Sequence, residues 1–123
     1  MNWTLDKSRP ICPQICELIC AAIASGEFSA GEKLLSVREI ALLAGLNPNT
    51  VQKSFEELER RDVIHSVRCS GWYVNENIDA AADEVKNLRK KKTEEYLAEM
   101  AQLGWGQDEV IKYLNECQEV NHE

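Results

Sequence analysis

Residues 35–54, LSVREIALLAGLNPNTVQKS, constrain the fold more than any other part of this chain. Ser36 and Glu39 have the S-x-x-E spacing of a capping box, which predicts that a helix begins there. Gly45 predicts a left-handed residue that ends this helix. The pair Asn47–Pro48 predicts the cap and the first residue of a second helix. The stretch therefore predicts two short helices joined by a tight turn.

The second helix, predicted over Pro48–Arg60, carries two different faces. Val51, Phe55 and Leu58 recur at the spacing of a buried apolar stripe. Polar side chains occupy its first turns, mostly off this stripe: Asn49, Thr50, Gln52 and Lys53. A recognition helix presents such groups to base edges and phosphates in the major groove of DNA. A solvated helix face is the simpler alternative.

The flanking residues predict the rest of a small domain. An amphipathic helix is expected over Ile11–Ser25, and Ile40, Leu43 and Ala44 are expected to share the inner face of the helix Ser36–Ala44. Val63–Val67 and Trp72–Val74 predict a β-hairpin with Arg68 and Ser70 at its tip. Three helices followed by a hairpin is the order of a winged helix-turn-helix. In that architecture the hairpin, called the wing, touches DNA beside the recognition helix.

The remaining residues predict two more helices, a long one from about Ile78 to Leu103 and a second over Asp108–Cys117. Two helices with apolar stripes cannot form a core alone, so they must pack on the first domain or on a second copy. A dimer is the more economical solution because a two-fold protein matches a two-fold operator. We therefore expect a mainly α protein with a small β-hairpin, in which residues 1–77 form a winged helix-turn-helix and residues 78–123 form a two-helix C-terminal dimerisation segment.

The net charge of −7 argues against a protein that coats nucleic acid generally. The charge is uneven, however. Residues 1–77 carry eight Lys and Arg against ten Asp and Glu, whereas residues 78–123 carry six against eleven. The acidity therefore lies mainly outside the predicted DNA-binding part. No apolar run approaches the roughly 18 residues of a membrane span, and no leader is evident, so a cytoplasmic protein without membrane contact is expected.

Five cysteines are present, and three of them, Cys12, Cys16 and Cys20, follow one another at i, i+4 and i+8 of a predicted helix. A straight helix does not readily bridge such cysteines, so free thiols are expected. The three thiols are a weak alternative site for a soft metal or for oxidation, and small buried residues are the simpler interpretation. His65 and His122 have no paired nucleophile or base. No enzyme and no cofactor are therefore predicted.

The segments SVRE, NPNTVQK and FEELER, followed by GWYV, resemble the DNA-binding domain of GntR-type bacterial transcription regulators over about Pro10–Asn75. The C-terminal LGWGQDEVIKYL resembles the YtrA subfamily. The resemblance implies a homodimer bound to a double-stranded, palindromic DNA operator. It implies a repressor of its own or a neighbouring operon, often one for a transporter. It leaves any small-molecule effector unidentified.

The resemblance also implies which residues contact DNA: Ser36, Arg38, Asn47, Asn49, Thr50, Gln52, Lys53, Arg68, Ser70 and Gly71. Arg38, Asn49 and Gln52 are expected to read bases, whereas Ser36, Thr50 and Lys53 suit phosphate oxygens. Several positions depart from the family. Leu35 replaces a proline, Asp62 and Cys69 replace glycines, and Ser70 replaces a basic residue, so a weaker wing contact is expected. A winged-helix module that binds only proteins remains an alternative.

Overall fold

The computed structural model describes residues 2–120, with side chains to residue 117, and His122 lies outside this range. Within it the order of elements is α1 (Ile11–Ala24), α2 (Val37–Ala44), α3 (Pro48–Arg60), β1 (Ile64–Val67), β2 (Gly71–Val74), α4 (Asp79–Gln102) and α5 (Gln107–Val120). The predicted order of three helices, a hairpin and two helices is confirmed, and the bounds of α3 match the prediction. The structure is that of a winged helix-turn-helix followed by two helices.

The core lies among α1, α3, the hairpin and the start of α4. Val51, Phe55 and Leu58 of α3 are fully buried, as their spacing predicts, and face Ile15 and Ile19 of α1 across the same core cluster. Trp3 and Leu34 are also buried, so the N-terminal segment and the loop before α2 close the core at its edges.

The prediction for the inner face of α2 is partly wrong. Ile40 and Ala41 are buried, but Leu43 is 63% exposed. Leu43 lines an open groove with Trp3, Phe28 and Leu35 instead of entering the core. A helix of two turns buries only a narrow stripe, and spacing alone does not identify which edge of the stripe is covered.

The hairpin pairs β1 with β2 in antiparallel register, from Ile64 opposite Val74 to Val67 opposite Gly71. Val63 and Ile64 are both buried, and the following residues of β1 are exposed. Val63 precedes the strand, and its N–H donates to the Leu58 carbonyl at 3.0 Å. The strand therefore leaves the core after Ile64.

The chain divides into two compact units, one ending at Lys86 and the other beginning at Asn87. The division falls inside α4, and Ala81 and Val85 of this helix are buried in the first unit. In the second unit Val110 is buried, while Leu103, at 77% exposure, is open to solvent together with Ile111 and Leu114. None of the helices within residues 2–120 is long and apolar enough to cross a membrane.

Candidate nucleic-acid interface

The start of α2 is fixed by its own side chains. Ser36 Oγ accepts a hydrogen bond from the Glu39 N–H at 3.1 Å, and Glu39 Oε1 accepts one from the Ser36 N–H at 3.2 Å. The predicted capping box is therefore confirmed. It holds Ser36 and Arg38 on the exposed first turn of the helix, where both side chains face solvent.

The turn between α2 and α3 is held from two sides. Gly45 adopts a left-handed φ of 67° and ends α2, as predicted. The Lys7 ammonium donates to the Gly45 carbonyl at 3.3 Å. Asn47 caps α3, since its side-chain oxygen accepts from the Asn49 N–H at 2.9 Å. The sequence carried no signal for Lys7, whose partner lies 38 residues away.

The first turns of α3 present polar groups to solvent because the opposite face of the helix is anchored. Asn49 and Lys53 are exposed, and Thr50 and Gln52 are partly exposed. Beneath them Ser54 is buried, and its hydroxyl donates to the Thr50 carbonyl at 3.0 Å. This arrangement anchors the helix and leaves the donors and acceptors of its first turns open to solvent, where they could meet base edges.

One predicted base-reading side chain already has a partner. Gln52 Nε2 donates to Glu56 Oε1 at 3.2 Å, one turn further along α3. This bond occupies one of the two amide donors of Gln52 and leaves the second donor and the carbonyl oxygen for another partner. Glu56 therefore orients the Gln52 amide without using all of its hydrogen-bonding capacity.

The wing is attached to α3 through aromatic packing. The rings of Phe55 and Trp72 meet edge to face, with their centroids 5.5 Å apart. Arg68, Cys69 and Ser70 form the exposed tip. The Ser70 hydroxyl makes a hydrogen bond with the Tyr73 hydroxyl, so the serine at this position ties the tip to β2.

The two positions at which the resemblance implies glycine, Asp62 and Cys69, have left-handed backbones. The φ angles of Asp62 and Cys69 are each 62°, and they are the two non-glycine residues with positive φ in the described part of the chain. The backbone therefore retains at Asp62 and Cys69 the conformation that glycine adopts most readily. The hairpin closes in spite of the substitutions, with the Ser70 N–H donating to the Val67 carbonyl at 3.0 Å.

The ten residues expected to contact DNA belong to the first unit and are exposed or half-buried. They stand on three elements, which are the start of α2, the start of α3 and the tip of the wing. The far end of α3 has a different character. There Arg60 and Arg61 form ion pairs with Glu57 and lower the pKa of its carboxyl group, and Arg61 also reaches Glu84 of α4 at 3.2 Å.

The cysteines of α1 are part of the core. Cys16 and Cys20 are buried, and burial raises the pKa of the Cys16 thiol to about 12. Burial also raises the pKa of Cys20, whose Sγ donates to a carboxylate oxygen of Glu84 at 3.2 Å. Among the side chains that the structure describes, in residues 2–117, no group of three or more His, Cys, Asp or Glu is arranged to hold a metal ion. Packing accounts for Cys16 and Cys20, and Cys12 is only half-buried beside them.

Comparisons with known proteins agree with this arrangement. The family model described as "Bacterial regulatory proteins, gntR family" matches residues 13–74. YhcF of Bacillus subtilis (strain 168), described as an uncharacterized HTH-type transcriptional regulator, is 32% identical over 91% of this chain and 93% of its own length. The HTH-type transcriptional repressor YtrA from the same organism is 40% identical over 64% of this chain and 61% of its own.

A solved structure extends the likeness to both units. The GntR family transcriptional regulator from Listeria monocytogenes is 36% identical, covers 91% of this chain and 98% of its own, and superposes with a TM-score of 0.77. These relatives are transcription regulators and not enzymes. The predicted YtrA subfamily fits the relatives found. The chain belongs to the gntR family of bacterial transcription regulators and carries its DNA-binding helix-turn-helix.

Proposed function

We propose that this protein is a homodimeric, cytoplasmic repressor that binds a palindromic DNA operator upstream of its own or a neighbouring operon, for example one for a transporter. The observation that carries the proposal is the α3 face formed by Asn49, Thr50, Gln52 and Lys53, which faces solvent above a fully buried stripe. The similarity to the repressor YtrA, 40% identical over its matched part, supports repression over activation.

Roles within the interface follow from side-chain chemistry. Arg38 offers a planar, two-pronged donor that suits guanine, and Asn49 and Gln52 offer the amide pairing that suits adenine. Ser36, Thr50 and Lys53 bind phosphate oxygens and set the register of the protein on the duplex. We assign Asn47 and the tip residues Arg68, Ser70 and Gly71 to contacts with the DNA backbone or the minor groove.

Residues 78–123 are proposed to form the dimer. Large apolar side chains of the second unit are exposed, which marks a surface that needs a partner: Leu103, Trp105, Ile111, Tyr113 and Leu114. A dimer aligns two recognition helices with two half-sites one helical turn, or about 34 Å, apart.

The experiment measures binding of fluorescent DNA from the upstream region of the gene by anisotropy, with the dimer established by light scattering. Arg38→Ala is expected to weaken operator binding at least tenfold while the dimer persists. Arg60→Ala is the matched control, because it removes the same charge from the far end of α3, where Arg60 is paired with Glu57. Failure of the folded dimer to bind any upstream fragment at low salt would refute the proposal.

A further inference from the structure

A third extended segment lies along the outer edge of the wing. The Leu34 N–H donates to the Trp72 carbonyl at 2.9 Å, and the Val74 N–H donates to the Glu32 carbonyl at 2.9 Å. Between these bonds Lys33 pairs with Tyr73 as an antiparallel bridge. The loop before α2 therefore extends the two-stranded hairpin by one short strand.

This pairing fixes where the Lys33 side chain lies. Successive side chains of an extended segment point to opposite faces, and Leu34 is buried while Lys33 is exposed. Lys33 stands in one cross-strand row with Tyr73 and His65, on the outer face of the wing. The Tyr73 hydroxyl on this row is bonded to Ser70 at the tip.

The side chain of Lys33 passes over the wing at Gly71. A Cβ atom built on Gly71 would lie 3.3 Å from Lys33 Cε, which is tighter than ordinary van der Waals contact. The lack of a side chain at Gly71 therefore opens the path by which Lys33 extends beside the wing tip. The φ of Gly71, 137°, also disfavours other residues.

The charge of Lys33 is not neutralised by a neighbour. It takes part in none of the ion pairs found among residues 2–120, whereas Arg9, Arg60 and Arg61 all do. Along the chain it precedes the α2 cap Ser36 by three residues, and across the sheet its side chain reaches Gly71, next to the wing tip. An ammonium group between two proposed DNA-contacting elements is placed to bind a phosphate.

We propose that Lys33 is a phosphate-binding residue that joins the start of α2 to the wing, with its side chain passing over Gly71. The inference rests on the proposed operator binding and adds a contact that the helix-turn-helix pattern does not identify. A phosphate contact supplies affinity without sequence preference.

The test measures the Kd of the full-length wild type and of Lys33→Gln for operator DNA and for a scrambled duplex between about 50 and 200 mM salt. Loss of one phosphate contact reduces the slope of log Kd against log salt by about 0.9. The ratio of variant to wild-type Kd is therefore expected to fall roughly threefold over this range of salt concentration, equally for both duplexes. Lys33→Arg should retain most of the slope, and Lys86→Gln, an exposed position on α4, is the matched control for charge.

The outcomes separate the two proposals. If the wild type binds operator DNA and Lys33→Gln has the wild-type slope, the role of Lys33 is wrong and the proposed function stands. A loss confined to operator DNA would show a base contact and would also overturn the phosphate role. If the folded wild type binds neither duplex at the lowest salt concentration, both proposals fail.

Discussion

Replacing Asp62 or Cys69 by glycine should stabilise the protein, because both residues have a φ of 62°. A non-glycine residue in this region costs about 1–3 kcal/mol, and Asp lies at the low end because it tolerates the conformation better than most residues. Glycine also raises the entropy of the unfolded chain, which removes about 0.4–1 kcal/mol of the gain. We expect a net gain of about 1 kcal/mol for Cys69→Gly and about half of that for Asp62→Gly.

The contacts around these residues support a purely conformational effect. The Asp62 backbone donates to the Glu59 carbonyl at 3.1 Å and accepts from Asn75 Nδ2 at 2.7 Å, and both bonds survive the change to glycine. Neither the Asp62 nor the Cys69 side chain makes a hydrogen bond or ion pair with another of residues 2–120. The substitutions therefore remove strain without removing a contact.

The assay is urea denaturation at neutral pH followed by circular dichroism, with thermal unfolding as a second measure. A gain of about 1 kcal/mol corresponds to a rise in Tm of about 4 °C for a domain of this size. Gly26→Ala is the reverse control, since Gly26 has a φ of 84° and a Cβ atom added there would have no neighbour within 4 Å. This control should lose about 1 kcal/mol. If Gly26→Ala is destabilising but both glycine variants are neutral or destabilising, the argument from strain is refuted.

Three further results are expected. In the native protein at neutral pH, iodoacetamide should label the exposed Cys69 long before the buried Cys16 and Cys20. Peptide mass mapping follows the labelling of each thiol, and equal rates would contradict the burial of Cys16 and Cys20. Burial raises the pKa of Cys16 from 9.0 to about 12, so the stability that depends on its protonated form is complete below pH 9 and is lost toward pH 12. Over this pH range the free energy of unfolding, measured by denaturation, should decline less for Cys16→Ala than for the wild type. Asn47→Ala should lower the free energy of unfolding by about 1 kcal/mol through loss of the α3 cap, and an unaltered urea midpoint would show that the cap contributes nothing.

The parts of the fold that could be predicted from sequence are those specified by nearby residues. Helix α3 begins where Asn47 and Pro48 place it because a cap and its helix are adjacent in the chain. The buried stripe of Val51, Phe55 and Leu58 follows from the helical repeat in the same way. The exposure of the proposed contact residues on α2 and α3 could be predicted for the same reason, because it follows once the buried side of each helix is known.

The parts that were missed depend on partners far along the chain. Lys33 reaches the wing through a bridge to Tyr73, 40 residues away, and Lys7 reaches Gly45 across 38 residues. No local pattern of charge or hydrophobicity encodes such pairs. Leu43 was misplaced for a related reason, because the groove that leaves it exposed is formed with Trp3 and Phe28 from other segments.

The net charge of −7 is a poor guide to DNA binding by this chain, because some of its cations form ion pairs and others do not. Arg60 and Arg61 are held by Glu57 and Glu84 at the far end of α3. The cations that we propose to contact DNA belong to no ion pair among residues 2–120: Lys33, Arg38, Lys53 and Arg68. Coulomb interactions with phosphates weaken within about 10 Å at about 0.1 M salt, so a charge in contact with a phosphate affects binding more than any charge farther from it than this distance. An acidic protein is therefore compatible with DNA binding through a local set of cations outside ion pairs, and the salt slope of operator binding should reflect these contacts and not the total charge.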